Sequence, residues 1–508
     1  MTDTRRWWAL GALSLAMLTL GLDITVLNVA MPTLAVDLSA STGELQWFSN
    51  AYTLVMAALL LPAGMLGDRF GRKRLLLGAL AMFGLASAVC AWASDPETLI
   101  IGRTLLGLGA AFMMPLSMAV LPVIFPEPRE RSRAITIWVT STSIGMPLGP
   151  ILGGWLLDEF WWGSVFLINL PLIAAGMLAV ALFVPESRGQ ERRRVDVLGM
   201  ITSGVGLLGV TYGLIDAGER GWTDARALLT IAGGMLVLVG FVLWQRRARS
   251  PLIDLSLFSS ARFTWATVLS TMVNFAMFGL LFVMPQYFQA VGGSDALETG
   301  LRLLPMIAGI VVGAKVAGAL VPRFGAKITI AVAFVLLAMA LTGGATTGMT
   351  TPYGYVGAWM GVLGVGVGMA MPTAMDVATG ELSTERAGAG SALIQSLRQV
   401  GGTIGVAILG TVLSSGYRAR LDLDGVPAQA VDAVRDSVNS GAAVADALRS
   451  PALLDSVRGA FTHGMSAMMW TCAGLAVLGA VLAAVFLPSR VERSDVRQGE
   501  SRDDLVAI

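Results

Sequence analysis

The chain has 508 residues, 55% of them hydrophobic and only 14% charged, with a mean hydropathy of +0.71, far from the roughly 25% charged composition of a soluble domain. This composition is that of a polytopic membrane protein, and a net charge of +1 gives no reason to expect nucleic acid as a partner. Two cysteines, Cys90 and Cys472, both within apolar runs, and a single histidine, His463, offer no basis for a disulfide framework, a metal site or a Ser-His-Asp enzyme.

The opening segment MTDTRRWWALGALSLAMLTLGL has the positive flank of a signal peptide, but its apolar stretch outruns the usual h-region of about 7–15 residues. It reads as a retained first helix. A membrane-spanning helix needs about 20 mostly apolar residues. By that measure the sequence predicts fourteen spans, near 8–31, 46–66, 75–93, 98–122, 134–157, 164–184, 196–216, 227–245, 263–288, 300–321, 328–346, 353–376, 388–415 and 465–487. The ninth has a possible break at Pro285. Lys and Arg crowd one alternate set of connections: Arg5 and Arg6, RFGRKR at 69–74, PRERSR at 128–133, RGQERRR at 188–194, QRRARS at 245–250, Arg323 and Lys327, Arg386 and the tail. Basic loops resist translocation, so both termini are expected in the cytoplasm, with 416–464 the one sizeable outside loop, polar and partly helical, and His463 at its end.

GMLGDRFGRK (64–73) recurs as GALVPRFGAK (318–327), an offset of 254 (318 − 64). GLGAAFMMP (107–115) recurs as GVGVGMAMP (364–372) at 257 (364 − 107), and IGMPLGPILGG (144–154) more loosely as VGGTIGVAILG (400–410) at 256 (400 − 144). Ordered matches at one spacing indicate duplicated halves. Spans 2, 4 and 5 map onto 10, 12 and 13, which leaves spans 7 and 8 over. The expected organisation is all-α. Residues 1–190 form a first six-helix bundle and 191–260 two additional transmembrane helices with a cytoplasmic linker. Residues 261–490 form a second six-helix bundle carrying the loop 416–464, and 491–508 a cytoplasmic tail.

Four stretches carry a family resemblance: LDITVLNVAMP (22–32), GMLGDRFGRKR (64–74), RTLLGLGAA (103–111) and GMPLGPILGG (145–154). From about residue 8 to 487 the chain resembles a major facilitator superfamily transporter, specifically the fourteen-helix drug:proton antiporter branch. The resemblance implies two bundles rocking about a central site, with proton entry driving substrate exit. It makes Gly64, Asp68, Arg69, Gly71, Arg72 and Lys73 a cytoplasmic gate motif that latches the halves. It makes Gly145, Pro147, Gly149, Pro150, Gly153 and Gly154 an antiporter motif. Gly145, Gly149 and Gly153 fall on one helix face and permit close approach, while Pro147 and Pro150 remove hydrogen bonds and bend the span. That face is expected to seal the outer side of the cavity against span 10.

A charge at mid-bilayer costs roughly 2.5–3.5 kcal/mol on insertion scales, so an intramembrane ionisable residue is a functional hypothesis. Asp23, about eight residues from the outer end of span 1, is the leading protonation site. Arg103, at similar depth in span 4, is its natural partner, because burial disfavours the carboxylate and a guanidinium restores it. By the repeat the two map near Ala276 and onto Met360, so the charges belong to one half alone. Asp376, closing span 12, is either a second coupling residue or an interface residue. Asn28, Asn274, Gln286, Gln289 and Arg398 are the candidate lining of the substrate cavity.

No G-x-x-x-x-G-K-[ST] motif occurs, and GVGVG at 364–368 lies within a span, where it reads as packing. The expected activity is proton-coupled export of structurally diverse lipophilic, cationic drugs or dyes by a monomer in a bacterial cell membrane. The proton gradient is the energy source and no cofactor is expected. The alternatives are a dedicated exporter of a single metabolite, lipid or antibiotic, and a passive facilitator.

Overall fold

The structure, a computed structural model, describes residues 3–188, 196–248, 251–382, 387–424 and 426–488. The tail 491–508, the basic segment 189–195, Arg386 and the side chain of Pro147 lie outside them.

Among the described residues every regular element is helical: α1 Asp3–Asp37, α2 Thr42–Phe70, α3 Arg72–Ala91, α4 Pro96–Ile124, α5 Pro128–Glu159, α6 Ser164–Leu167, α7 Asn169–Phe183, α8 Val197–Arg220, α9 Ala225–Gln245, α10 Ala261–Gln286, α11 Ala296–Arg302, α12 Leu304–Ala345, α13 Tyr353–Gly380, α14 Ala387–Arg420, α15 Val431–Asp436, α16 Val438–Ala447 and α17 Pro451–Phe486. Local chemistry sets many starts. Ser41 and Glu44 form a reciprocal capping box at α2, Asp95 caps α4 with Pro96 in its first turn, and Ser450 and Pro451 open α17 in the same way. A turn of π-helix, Tyr287–Val291, follows Pro285 at the end of α10.

Among the described residues twelve helical stretches are long and apolar enough to cross a membrane. They correspond to the predicted spans, with two differences. The tenth and eleventh are merged in one stretch, Ala296–Ala345, and α5 is not among the twelve. At 42 residues α12 would measure about 63 Å at ~1.5 Å per residue, twice a hydrocarbon core. It is broken at Gly325, whose φ of 82° and ψ of 162° are non-helical. Gly71, 254 residues earlier, breaks α2 from α3 with a φ of 112°. The repeated R-F-G-x-K motif therefore encodes the same device twice: a left-handed residue that only glycine adopts without cost.

α1–α7 pack as one bundle, and α10, α12, α13, α14 and α17 as a second, while α11, which leads into α12, packs chiefly on α5. α8 and α9 pack on each other, and α8 also lies against α2 and α14, one helix from each bundle. The glycine matches reappear as matched contacts. Gly107 abuts Tyr52 of α2 and Gly109 abuts Phe83 of α3, while Gly364 abuts Met306 and Gly366 abuts Leu337, on the two segments of α12. Gly145 and Gly149 meet Leu18 and Leu22 of α1, as Gly401 and Gly405 meet Thr271 and Phe275 of α10. At the next turn the sizes are exchanged: Gly153 receives Val26, but in the second bundle Leu409 packs onto Gly279.

Three expectations need correction. α14 continues to Arg420 and α17 begins at Pro451, so the segment between them is shorter than 416–464 and holds α15 and α16. His463 consequently sits exposed on α17 rather than in a loop. α1 runs on to Asp37, so Asp23 lies fourteen residues, about 21 Å, from its outer end rather than eight.

The packing makes a stability prediction. A methyl built at Gly107 would sit 2.5 Å from the Tyr52 carbonyl oxygen, whereas one at Gly78 meets nothing within 4 Å. Gly107→Val should lower stability by about 1–3 kcal/mol and Gly78→Ala leave it nearly unchanged. Thermal unfolding of both variants in detergent checks the difference, and equal melting curves would remove the basis for the repeat as a packing code.

Candidate functional site

Asp23 is fully buried on α1. Four other helices supply its surroundings. Arg103, the eighth residue of α4, is 2% exposed and places Nη1 3.0 Å from Asp23 Oδ2. Its Nε donates to the Phe48 carbonyl of α2 at 2.9 Å, and its guanidinium lies 4.5 Å from the centre of the Tyr52 ring. Asn169, the first residue of α7, donates Nδ2 to Asp23 Oδ1 at 3.1 Å and lies 3.2 Å from Ser87 Oγ on α3. Five helices therefore meet at one carboxylate.

The polar groups are not all satisfied. Asn169 Oδ1, Tyr52 Oη and both amide atoms of Asn50 on α2 are buried without a hydrogen-bond partner among the described residues. A buried orphan costs about 1–3 kcal/mol, and a buried ion pair losing one member costs about 3–5 kcal/mol. Arg103 is held both by the Asp23 carboxylate and by the Phe48 carbonyl and Tyr52 face, so removing either member of the pair leaves the other short of a partner.

The proposed cavity residues do not converge. Asn28 donates to Ile24 and Gln286 to Phe282, each a carbonyl one turn back on its own helix. Asn274 donates to the Arg398 carbonyl at 2.7 Å and ties α10 to α14. Arg398 reaches Gln395 at 3.0 Å and the Met371 sulfur at 3.2 Å, while its Nε is buried without a partner. Gln289 donates to the Val29 carbonyl across the two bundles at 3.1 Å. Asp376 is exposed near the end of α13, away from Asp23. Asn274 and Arg398 alone among the six meet each other.

Around the R-F-G-R-K turn, Arg72 pairs with Asp68 at 2.7 Å and donates to the Ala119 carbonyl at 2.9 Å. Lys73 donates Nζ to the Ala181 carbonyl, and Glu186 accepts the Lys73 amide. Arg69 lies over Phe70, and Gly64 meets only Pro115. The contacts found for this turn among the described residues stay inside the first bundle. Among the described residues Asp68 pairs with Arg72 of its own turn. Gly145, Gly149 and Gly153 likewise face α1 within their own bundle rather than span 10. Gly154 and the Pro150 carbonyl do reach the other half, against Ala296 and Gly300 of α11.

Contacts between bundles gather toward the end opposite residue 3. Leu297 N donates to Asp158 at 3.1 Å, Gly410 packs on Gln46, and Ser440 reaches the Ala35 carbonyl at 3.4 Å. Deeper in, Thr53 and Thr403 hydroxyls lie 2.8 Å apart and Ser396 donates to the Ala57 carbonyl at 2.6 Å. At the end near residue 3, Arg6–Glu130 and Arg262–Glu381 stay within one bundle each. Asn169, Ser87, Tyr52 and Glu186 are the site residues sequence reasoning missed. The signal for Asn169 was present, an amide inside the apolar run VFLINLPLI.

The sequence profile of the Major Facilitator Superfamily matches residues 13–406. The tetracenomycin C resistance and export protein of Streptomyces glaucescens is 33% identical over 98% of this chain and 94% of its own length. The multidrug efflux pump LfrA of Mycolicibacterium smegmatis is 33% identical over 94% of this chain and 96% of its own. The methyl viologen resistance protein SmvA of Salmonella typhimurium is 32% identical over 94% and 97%. In fold, the chain matches the crystal structure of a bacterial homolog of the human lysosomal transporter Spinster in an inward-facing, unoccupied conformation, with a TM-score of 0.70 at 16% identity, covering 97% of this chain and 100% of that one.

The buried pair predicts a double-mutant cycle. Arg103→Met, which strands the Asp23 carboxylate, should destabilise by about 3–5 kcal/mol, and Asp23→Leu combined with Arg103→Met should recover much of that loss. Unfolding in detergent measures the coupling, and additive losses would show that the pair is not an energetic unit.

Proposed function

Since the chain belongs to the Major Facilitator Superfamily and is a multi-pass transporter of the cell membrane, we propose that it is a monomeric proton-coupled antiporter exporting structurally diverse lipophilic cations by alternating access. We count α5 with the twelve candidate spans and divide Ala296–Ala345 at Gly325, for fourteen transmembrane helices, and the basic connections support cytoplasmic termini. The observation that carries the reading is the sealed Asp23–Arg103 pair, present in one bundle and absent from its repeat, where Ala276 and Met360 stand.

A proton on Asp23 cancels the attraction that holds α1 to α4, and Arg103 stays charged because a guanidinium does not titrate in this range. α1 also receives the glycine face of α5, Gln289 at the Val29 carbonyl and Ser440 at the Ala35 carbonyl. Loosening α1 from α4 thus acts on the helix that carries several contacts between the bundles. With the bundles closed at the outer end and the pair intact, the arrangement suits the inward-facing, deprotonated state that accepts a cytoplasmic cation. Proton and cation then compete for Asp23, which is antiport.

Proteoliposomes carrying an imposed pH gradient and loaded with ethidium or methyl viologen test this directly. The wild type should move the cation uphill, and Asp23→Asn should insert normally yet lose coupled transport by at least about a hundredfold. Full activity in Asp23→Asn overturns the role of Asp23. Gradient-independent movement in the wild type supports a passive facilitator. The similarity to the tetracenomycin C resistance and export protein favours a second reading, export of a single antibiotic, which a dye panel separates from broad specificity.

A further inference from the structure

We infer that the chain carries a second cation site, outside the central pair, in a cleft of about 160 Å³ between the first turns of α2 and the last turns of α8. Gly43, Glu44 and Trp47 line it from α2, and Tyr212, Ile215 and Asp216 from α8. The Trp47 and Tyr212 rings stand 6.2 Å apart at 46°, an open angle that presents two π-faces to one occupant. The site takes the head group of an organic ammonium ion.

Asp216 is the decisive residue. It is 6% exposed, and Arg220 holds only its Oδ1, at 2.8 Å. Oδ2 is buried and has no hydrogen-bond partner among the described residues. A carboxylate oxygen in that position calls for a positive group. Arg220 cannot serve both oxygens from this geometry, and its own side chain is half exposed. Arg226 is committed to Tyr212, donating to the phenol oxygen at 2.9 Å with its guanidinium 5.9 Å from the ring centre. Glu44 adds a second carboxylate, whose Oε2 is engaged by the Ser41 cap. The cleft therefore combines aromatic faces with negative charge, which is the chemistry that recognises a quaternary ammonium.

Its position gives the extra helices a task. α8 is tied to α14 by Thr411 to the Leu214 carbonyl at 2.8 Å and by Ser414 to the Gly218 carbonyl at 3.2 Å, while the cleft joins α8 to α2. An occupant would sit where α8 spans the two bundles.

Equilibrium binding of benzyltrimethylammonium to the purified full-length protein in phosphatidylglycerol nanodiscs tests the inference. Wild type and Asp23→Asn should both bind saturably. Asp216→Asn and Trp47→Leu should weaken binding about tenfold or more, and Arg220→Gln, which removes the competing cation, should tighten it. Asp216→Asn and Arg220→Gln break the same ion pair, so a purely structural role would shift both in the same direction. That result, equal affinity in Asp216→Asn, no saturable binding in the wild type, or loss of binding in Asp23→Asn would each overturn the inference. Adding phosphatidylethanolamine separates the sources of the head group: competition assigns the site to a lipid, and its absence to a free solute.

Discussion

A carboxylate buried in the middle of a membrane bundle has to be neutralised by a cation or a proton, and this constraint organises the first half of the molecule. Asp23 obtains its cation from α4, while α7 and α2 orient the two groups through Asn169 and the Phe48 carbonyl. Removing any one of these supports leaves a charge or an amide without a partner in a medium where water cannot replace it. The helix that carries Asp23 also receives α5 and makes contacts with the second bundle.

The two bundles share their packing and differ in their charges. Glycine 71 and glycine 325 make the same break, and four further glycines on each side admit equivalent neighbours. At the third contact between α1 and α5, glycine and β-branched valine occupy opposite helices from the leucine and glycine of the second bundle. The close approach survives because only the summed volume of the pair is constrained. Against this common frame, Asp23 and Arg103 have no polar counterparts. A duplicated scaffold with chemistry on one side can move as two rigid halves while only one of them responds to a proton.

Much of the architecture was legible because its causes are local. Apolar runs of fixed length, basic connections and glycine spacing each act within one or two helices, and they located the helices, the repeat and the buried pair. What failed depended on neighbours in space. Gly145, Gly149 and Gly153 looked suited to a gate against span 10, but a smooth face fits any close helix, and α1 is the one that fills it. Asn28 and Gln286 looked like cavity lining, yet a buried amide can satisfy itself on the carbonyl one turn back. The boundary of 416–464 was misread because α14 and α17 extend past the bilayer, where polar residues continue a helix without an apolar signature. Asn169 was visible as an amide in an apolar run, but its role follows only from the crossing of α7 with α1 and α3.

The central claim, that cation and proton exchange at Asp23, is tested most directly by following proton release from the purified transporter when ethidium is added in weakly buffered detergent solution. At a pH where Asp23 carries a proton before ethidium is added, the account predicts release that saturates with ethidium binding in the wild type and vanishes in Asp23→Asn while ethidium still binds. Release of the same size in Asp23→Asn, or ethidium binding in the wild type with no proton released at any pH, would contradict it.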